Sequence, residues 1–334
     1  MQYFRPRIWM LFCMVAWAGT LFSGVLQGAI YDSLNGKSGL PGWRWLFVVD
    51  FLITIPLAVY TYACFPDTPL TTQAFYLTAD EKELAVARLN RQPEHIHGEV
   101  TKSSFKRIFS TWHIYGFCFI WTMGSNCEMF SSNAVMQLYL SSLGTFSVTK
   151  VNYMPAGVSA VGIFSTLVLG WYSDFTRRSW HIGILLSATA VTTAAIMLHP
   201  PSFAGKMFAL YLNGCQYANQ TVMFAWANRL VKDDENKRSF IVAAMNTSAV
   251  VFYSFWSISF YAANMAPMWR RGAIAMLVSG CLMCLGTLVV KHLEDRDAKL
   301  LEMTPGIETP ADEGASDGME VEKVTGSGDV KASA

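Results

Sequence analysis

A chain of 334 residues that is 52% hydrophobic, 14% aromatic and only 15% charged departs from soluble composition, in which about a quarter of residues are charged. So much apolar surface excludes an intrinsically disordered chain, and 25 basic against 24 acidic side chains, a net charge of +1, leave no surplus cation to neutralise a nucleic-acid backbone. A mean hydropathy of +0.30 leaves an integral membrane protein as the class that fits. The 7 cysteines lie in or beside apolar runs, where an odd number reads as packing residues and not as a disulfide framework. Cys281 and Cys284 are spaced C-x-x-C without a nearby His or a second such pair, so they too read as packing rather than as metal ligands.

A bilayer core of about 30 Å takes about 20 apolar residues per helix. Candidate spans fall at 8–31, 45–64, 113–140, 153–172, 181–198, 206–230, 239–263 and 272–290. The expected fold class is therefore all-α, a polytopic membrane protein with about eight transmembrane helices. With the amino terminus inside, 19 of the 25 Lys and Arg residues fall on the inner side and 6 on the outer. The positive-inside rule selects that orientation.

The first span begins behind Arg5 and Arg7, a start shared with signal peptides, but its apolar run is longer than such a segment needs and lacks a small-residue cleavage site after it. It also contains Gly24 and Gly28 at G-x-x-x-G spacing, which lets helix backbones approach closely. A retained helix is expected. Phe65-Pro66-Asp67-Thr68-Pro69 stops the second span, because neither proline can continue a helix. In the long loop beyond it, Thr78 and Glu81 have capping-box spacing ahead of Leu84, Val86 and Leu89, which predicts a short surface helix. His95 and His97 have no other ligand type around them and read as solvated. After Leu293 the chain turns to Glu, Asp, Gly, Ala, Ser, Thr and Lys without apolar periodicity, the composition of a disordered cytoplasmic tail.

Several local patterns carry a resemblance. Gly42-Trp43-Arg44-Trp45-Leu46-Phe47 enters the second span, and Gly170-Trp171-Tyr172-Ser173-Asp174-Phe175-Thr176-Arg177-Arg178 joins the fourth to the fifth. The latter resembles the G-x-x-x-D-x-x-x-R loops of the major facilitator superfamily of secondary transporters. Within it the chain is similar to the fungal anion:cation symporter branch of allantoate and pantothenate permeases. The stretches Ser125–Glu128, Asn133–Leu138, Phe224–Asn228 and Ala244–Thr247 most resemble the pantothenate transporters.

The resemblance implies a partial major facilitator fold. Twelve helices in two halves flank a long central loop in that family, so the spans here correspond to the fifth through twelfth. Residues 1–66 are then the last two helices of the amino-terminal half and 67–112 the cytoplasmic central loop. Residues 113–292 make the six-helix carboxy-terminal half, and 293–334 the tail. It further implies proton-coupled uptake of a small organic anion or vitamin such as pantothenate across the plasma membrane, with the chain inactive as it stands for want of four helices. A non-transporting membrane receptor or regulatory protein, or the product of a decayed gene, is the competing class. An enzyme is not supported: no paired Asp, H-E-x-x-H or Ser–His arrangement lies at membrane depth. No cofactor motif is present.

Polar side chains at membrane depth are costly unless paired or facing water. In the third span, Glu128, Ser132, Ser125, Asn133, Asn126 and Gln137 fall within one half of the helix surface at 100° per residue. Glu128 is the only acidic residue in the middle of any span. A carboxyl that stays neutral away from water and ionises when water enters is a candidate proton carrier, against the reading of a carboxyl hydrogen-bonded between helices. The sixth span sets Asn213, Gln216, Tyr217, Gln220 and Phe224 on one stripe, suited to a substrate with amide, hydroxyl and carboxylate groups and equally to interhelix bonding. The seventh repeats the device with Asn246, Tyr253 and Ser257, where packing is the leading alternative. The substrate-cavity candidates are thus Asn126, Asn133, Asn213, Gln216, Tyr217, Gln220 and Asn246. The resemblance casts Gly170, Asp174, Arg177 and Arg178 as a gating loop. Asp50 is expected to pair with Arg44. No Lys or Arg occupies the middle of a span, so the counter-charge for an anion is expected from outside these helices.

Overall fold

The computed structural model describes residues 4–90, 102–199, 202–232 and 234–303, which are helical or connecting, with no strand among them. The helices are α1 (Phe4–Leu34), α2 (Gly42–Cys64), α3 (Ala79–Asn90), α4 (Lys102–Phe109), α5 (Trp112–Glu128), α6 (Asn133–Ser142), α7 (Val148–Tyr153), α8 (Ala156–Thr176), α9 (Ser179–Leu198), α10 (Phe203–Asn213), α11 (Ala218–Leu230), α12 (Glu235–Phe260) and α13 (Arg270–Met303). Among the described residues 6 helical stretches are long and apolar enough to cross a membrane: those of α1, α2, α7 with α8, α9, α12 and α13. The other two expected spans are each built from two shorter helices, α5 with α6 and α10 with α11. The chain is an all-α polytopic membrane protein.

Each break has a local cause. After Glu128 the backbone tightens into a 3-10 turn at Met129–Ser131 and then extends at Ser132 (φ −60°, ψ 141°). The Ser132 hydroxyl accepts the Val135 N–H, so a residue that competes with the helix ladder starts a new helix instead. In the other pair, a 3-10 turn occupies Gly214–Tyr217. A Cβ on Gly214 would lie 2.8 Å from the Val158 carbonyl oxygen, so only glycine permits this approach to α8.

Residues up to Lys291 form one compact unit, and those from His292 a second. In the first unit α5 runs along α12, α10 along α9, and α1 along α7 and α8. The buried apolar residues divide into two cores, and Met129 and Phe130 of one break and Tyr217 of the other belong to the second. One contains Phe117, Trp121, Leu186, Phe224, Trp226 and Met283; the other contains Phe130, Leu140, Leu210, Tyr261, Trp269 and Met276. The glycine pair of α1 makes the close approach its spacing allows: a Cβ on Gly28 would lie 2.5 Å from the Tyr153 ring, and one on Gly24 would lie 3.2 Å from the Asn152 carbonyl oxygen. Beside it, the Thr149 hydroxyl donates to Asp32.

The loop between α2 and α5 holds more order than its composition announces. The Thr78 N–H donates to the Glu81 carboxylate at 2.9 Å and the Glu81 N–H to the Thr78 hydroxyl at 3.3 Å, the reciprocal capping expected at the start of α3. Helix α4 is an addition to the expected elements. Its Phe105 and Phe109 meet Phe240 edge-on, at 5.7 and 5.4 Å between ring centroids, and Arg107 pairs with Asp234 at 2.9 Å. Arg44, read as a partner of Asp50, lies over the Trp43 ring at 5.1 Å. His95 and His97 lie outside the described residues, as does the tail from residue 304. Helix α13 continues to Met303, past the Leu293 at which the composition turns polar.

Hydrogen bonds from Thr78 hold the Glu81 carboxyl below its ordinary range. A depressed carboxylate contributes stability that is present above its unfolded value and lost as pH falls through the folded one. Thr78→Ala is accordingly expected to speed amide exchange in the first turn of α3 about fivefold at neutral pH, the equivalent of losing one N-cap. Acidification below the usual carboxylate range should narrow the gap between the two proteins, as read by hydrogen–deuterium exchange.

Candidate functional site

The two breaks face each other. The Asn213 side-chain amide, at the last residue of α10, donates to the Cys127 carbonyl at 3.0 Å. That carbonyl belongs to the last turn of α5, whose carbonyls lose their onward partners when the helix stops. Asn213 is fully buried and its Oδ1 has no partner among the described residues. It is a clasp between two interrupted helices.

The stripe expected along the sixth span disperses at the same point. A 3-10 turn advances about 120° per residue where an α-helix advances about 100°, so Tyr217 is swung about 120° away from Asn213 while Gln216 stays on Asn213's face and meets a different neighbour further along it. Asn213 turns toward α5. Gln216, also fully buried, donates to the Leu186 carbonyl at 2.7 Å and to the Thr189 hydroxyl at 3.0 Å on α9. Tyr217 stacks on Trp17 of α1, with centroids 3.7 Å apart and planes at 9°. Gln220 is half-buried.

Asn126 is fully buried in α5, with neither amide atom partnered among the described residues. The same holds for Asn219 of α11, absent from the sequence-derived candidates, which fills the space left by Gly124: a Cβ there would lie 2.1 Å from its Nδ2. An amide in an apolar helix opposite a glycine was the signal available for it. Buried amides without protein partners mark places where water, a ligand or a second helix arrangement completes the bonding. Asn133 begins α6, and its side chain lies outside the described residues.

Glu128 ends α5 at the break and is half-buried, as is Ser125 one turn before it. Its carboxyl is close enough to the Tyr253 phenol of α12 to act on it electrostatically. The Thr122 hydroxyl donates to Ser248 at 3.1 Å, fastening α5 to α12 nearer the start of α5. Asn246 is exposed on the surface of α12. On the other side of α6 a cavity of ≈ 580 Å³ separates it from α1, with Thr20, Ser23, Gln27 and Gln137 in its walls.

The expected gating loop is mostly helix. Gly170 and Asp174 lie within α8, which ends at Thr176, and Arg177 caps it in left-handed backbone at φ 55°. Arg177 and Arg178 are exposed. Arg229 of α11 also reaches this corner: its guanidinium donates to the Ser179 hydroxyl at 3.2 Å, itself 2.9 Å from the Ser173 hydroxyl. Among the described residues no group of three or more His, Cys, Asp or Glu side chains is placed to hold a metal ion.

The family profile described as Major Facilitator Superfamily matches residues 4–257. The chain is 36% identical over 286 residues to the pantothenate transporter liz1 of Schizosaccharomyces pombe, covering 84% of this chain and 55% of that protein. It is 34% identical over 299 residues to the pantothenate transporter FEN2 of Saccharomyces cerevisiae, covering 87% and 58%. With the vitamin H transporter of the same yeast it shares 24% identity over 315 residues, covering 91% and 52%. The chain thus spans about half the length of these curated relatives. No solved structure matches it.

Proposed function

The chain belongs to the Major Facilitator Superfamily, and on that footing we propose that it forms the last eight helices of a secondary transporter. That transporter takes up a small organic anion of the pantothenate class together with a proton across the plasma membrane. Residues 1–66 supply the end of one half, 67–112 the central loop and 113–292 the other half. The observation that carries the reading is the pair of facing helix breaks, bonded through Asn213 and the Cys127 carbonyl, with fully buried amides Asn126, Gln216 and Asn219 beside them. Interrupted helices at one depth are how membrane transporters present polar backbone and ionisable groups to substrate and coupling ion.

In this reading Glu128 carries the proton. Asn126, Asn133, Asn219 and Gln220 shape the polar interior, with Asn213, Gln216 and Tyr217 holding the broken helix in place. The N-terminal end of the α6 dipole supplies positive partial charge for a carboxylate where no Lys or Arg stands. Gly170, Asp174, Arg177 and Arg178, with Arg229, form the inner gate. The substrate class rests on the relatives, named as pantothenate transporters.

Alternating access needs two helical bundles moving about a shared site, so these residues by themselves are expected to give no uptake above background. Cells lacking their own pantothenate uptake would receive either this chain or the same chain preceded by the first four helices of liz1, both confirmed at the cell surface. Accumulation of labelled pantothenate by the joined protein alone is the expected result. Accumulation by the 334-residue chain overturns the requirement for a second bundle, and none by a well-expressed joined protein overturns the substrate.

A further inference from the structure

The cavity between α1 and α6 offers a pattern of donors and acceptors that can be read group by group. Thr20 spends its hydroxyl proton on the Ala16 carbonyl at 3.1 Å, so toward the cavity it presents lone pairs. Ser23 accepts a 3.4 Å bond from the Gln27 amide, which leaves its own O–H to donate. Gln137 gives one N–H to Asn152 Oδ1 at 3.3 Å, and Asn152 is anchored in turn by donating to the Val148 carbonyl at 3.0 Å. That bond orients the Gln137 amide and leaves its carbonyl oxygen and second N–H available. Gly19 and Ala134, also in the walls, add no bulk.

The lining therefore holds an acceptor, a donor and two amides, and no charged side chain. Its volume of ≈ 580 Å³ lies within the span of small-molecule sites, roughly 300–1,000 Å³. Such a wall, with Ser23 exposed and Thr20, Gln27 and Gln137 half-buried, offers an uncharged group that carries donors and acceptors at once several hydrogen bonds, and offers a plain hydrocarbon none. We propose that this cavity receives the amide- and hydroxyl-bearing portion of a small organic acid, with Thr20, Ser23, Gln27 and Gln137 setting specificity. The assignment rests on the transporter reading and adds to it the site at which the substrate's neutral end is read.

The test is ligand protection of an introduced thiol in this same chain, since every lining residue belongs to it. Ser23→Cys is placed in the membrane-embedded protein, and its modification by a small thiol reagent is measured above the background of the unchanged chain. Pantothenate, N-acetyl-β-alanine and butyrate are compared as protectants at equal concentration. The expected result is slowing by one or both amide-bearing acids and none by butyrate. Adding Gln27→Leu should raise the half-protecting concentration about tenfold, the effect of one lost hydrogen-bonding partner. Thr20→Cys on the same wall serves as reporter if Ser23→Cys does not reach the membrane.

Absence of labelling, equal protection by butyrate, protection by neither amide, or indifference to Gln27→Leu overturns the proposal. The two failures separate cleanly. Pantothenate uptake by the joined protein with no protection removes the pocket and keeps the transporter. Protection by N-acetyl-β-alanine with no pantothenate uptake keeps the pocket and removes the substrate.

Discussion

Glu128→Gln, made in the protein completed with four upstream helices, is expected to abolish accumulation driven by an inward proton gradient while leaving exchange of substrate across the membrane intact. A carboxylate at mid-membrane costs several kcal/mol unless it is neutralised or well bonded. Glu128 stands at the end of α5, half-buried and within electrostatic reach of the Tyr253 phenol, at the point where two helices stop. Glutamine keeps the shape and the hydrogen-bonding capacity but fixes the group in its neutral form. The binding step survives and proton release does not.

One coupled proton converts each pH unit of gradient, about 1.4 kcal/mol, into about a tenfold accumulation. The variant should therefore lose that factor for every unit imposed. The measurement is steady-state uptake of labelled pantothenate as external pH is varied from about 7 down to about 5, with counterflow exchange as the control. Accumulation by Glu128→Gln that tracks pH as the parent does would make Glu128 a packing residue and move coupling elsewhere.

Gly162→Ala is expected to be among the most damaging single substitutions in the helical core, although it adds one methyl group. A Cβ at this position would lie 2.2 Å from Tyr217 Cδ2 and 3.1 Å from its Cβ. The ring has nowhere to retreat, because Trp17 covers it at 3.7 Å and Tyr217 is only 3% exposed. Overpacking of this kind costs about 1–3 kcal/mol or more. Here it would strike the joint between α8, the 3-10 turn and α1. Loss of thermal stability in detergent, by several degrees relative to the parent, is the expected reading. Trp17→Ala in the same background should restore part of it by freeing one face of the ring. A Gly162→Ala protein as stable as its parent would mean that Tyr217 is not clamped.

The gross architecture was legible because the bilayer requirement is written in composition. About 20 apolar residues per crossing is a one-dimensional signal, and it located the long apolar helices. The capping box of Thr78 and Glu81 was equally readable, since both partners lie within one helical turn. The two breaks were not. Met129–Ser132 and Gly214–Tyr217 sit inside apolar runs of full length, so hydropathy counts straight through them.

The sequence by itself thus determined the class, the apolar stretches and the one acidic group at depth. Which way each polar side chain faces was decided by tertiary structure. Asn213, Gln216 and Tyr217 share a stripe on an ideal helix, yet they reach α5, α9 and α1: the 3-10 turn, held in place by the close contact of Gly214 with α8, swings Tyr217 off the stripe, and the packing of α5 and α9 against one face gives Asn213 and Gln216 different partners. Arg229 reaches the corner between α8 and α9 for a like reason. Its approach to Ser179 depends on the packing of α11 beside α9, a distance that no spacing along the chain encodes. Periodicity assigns a face to a residue, and only packing assigns a neighbour to that face.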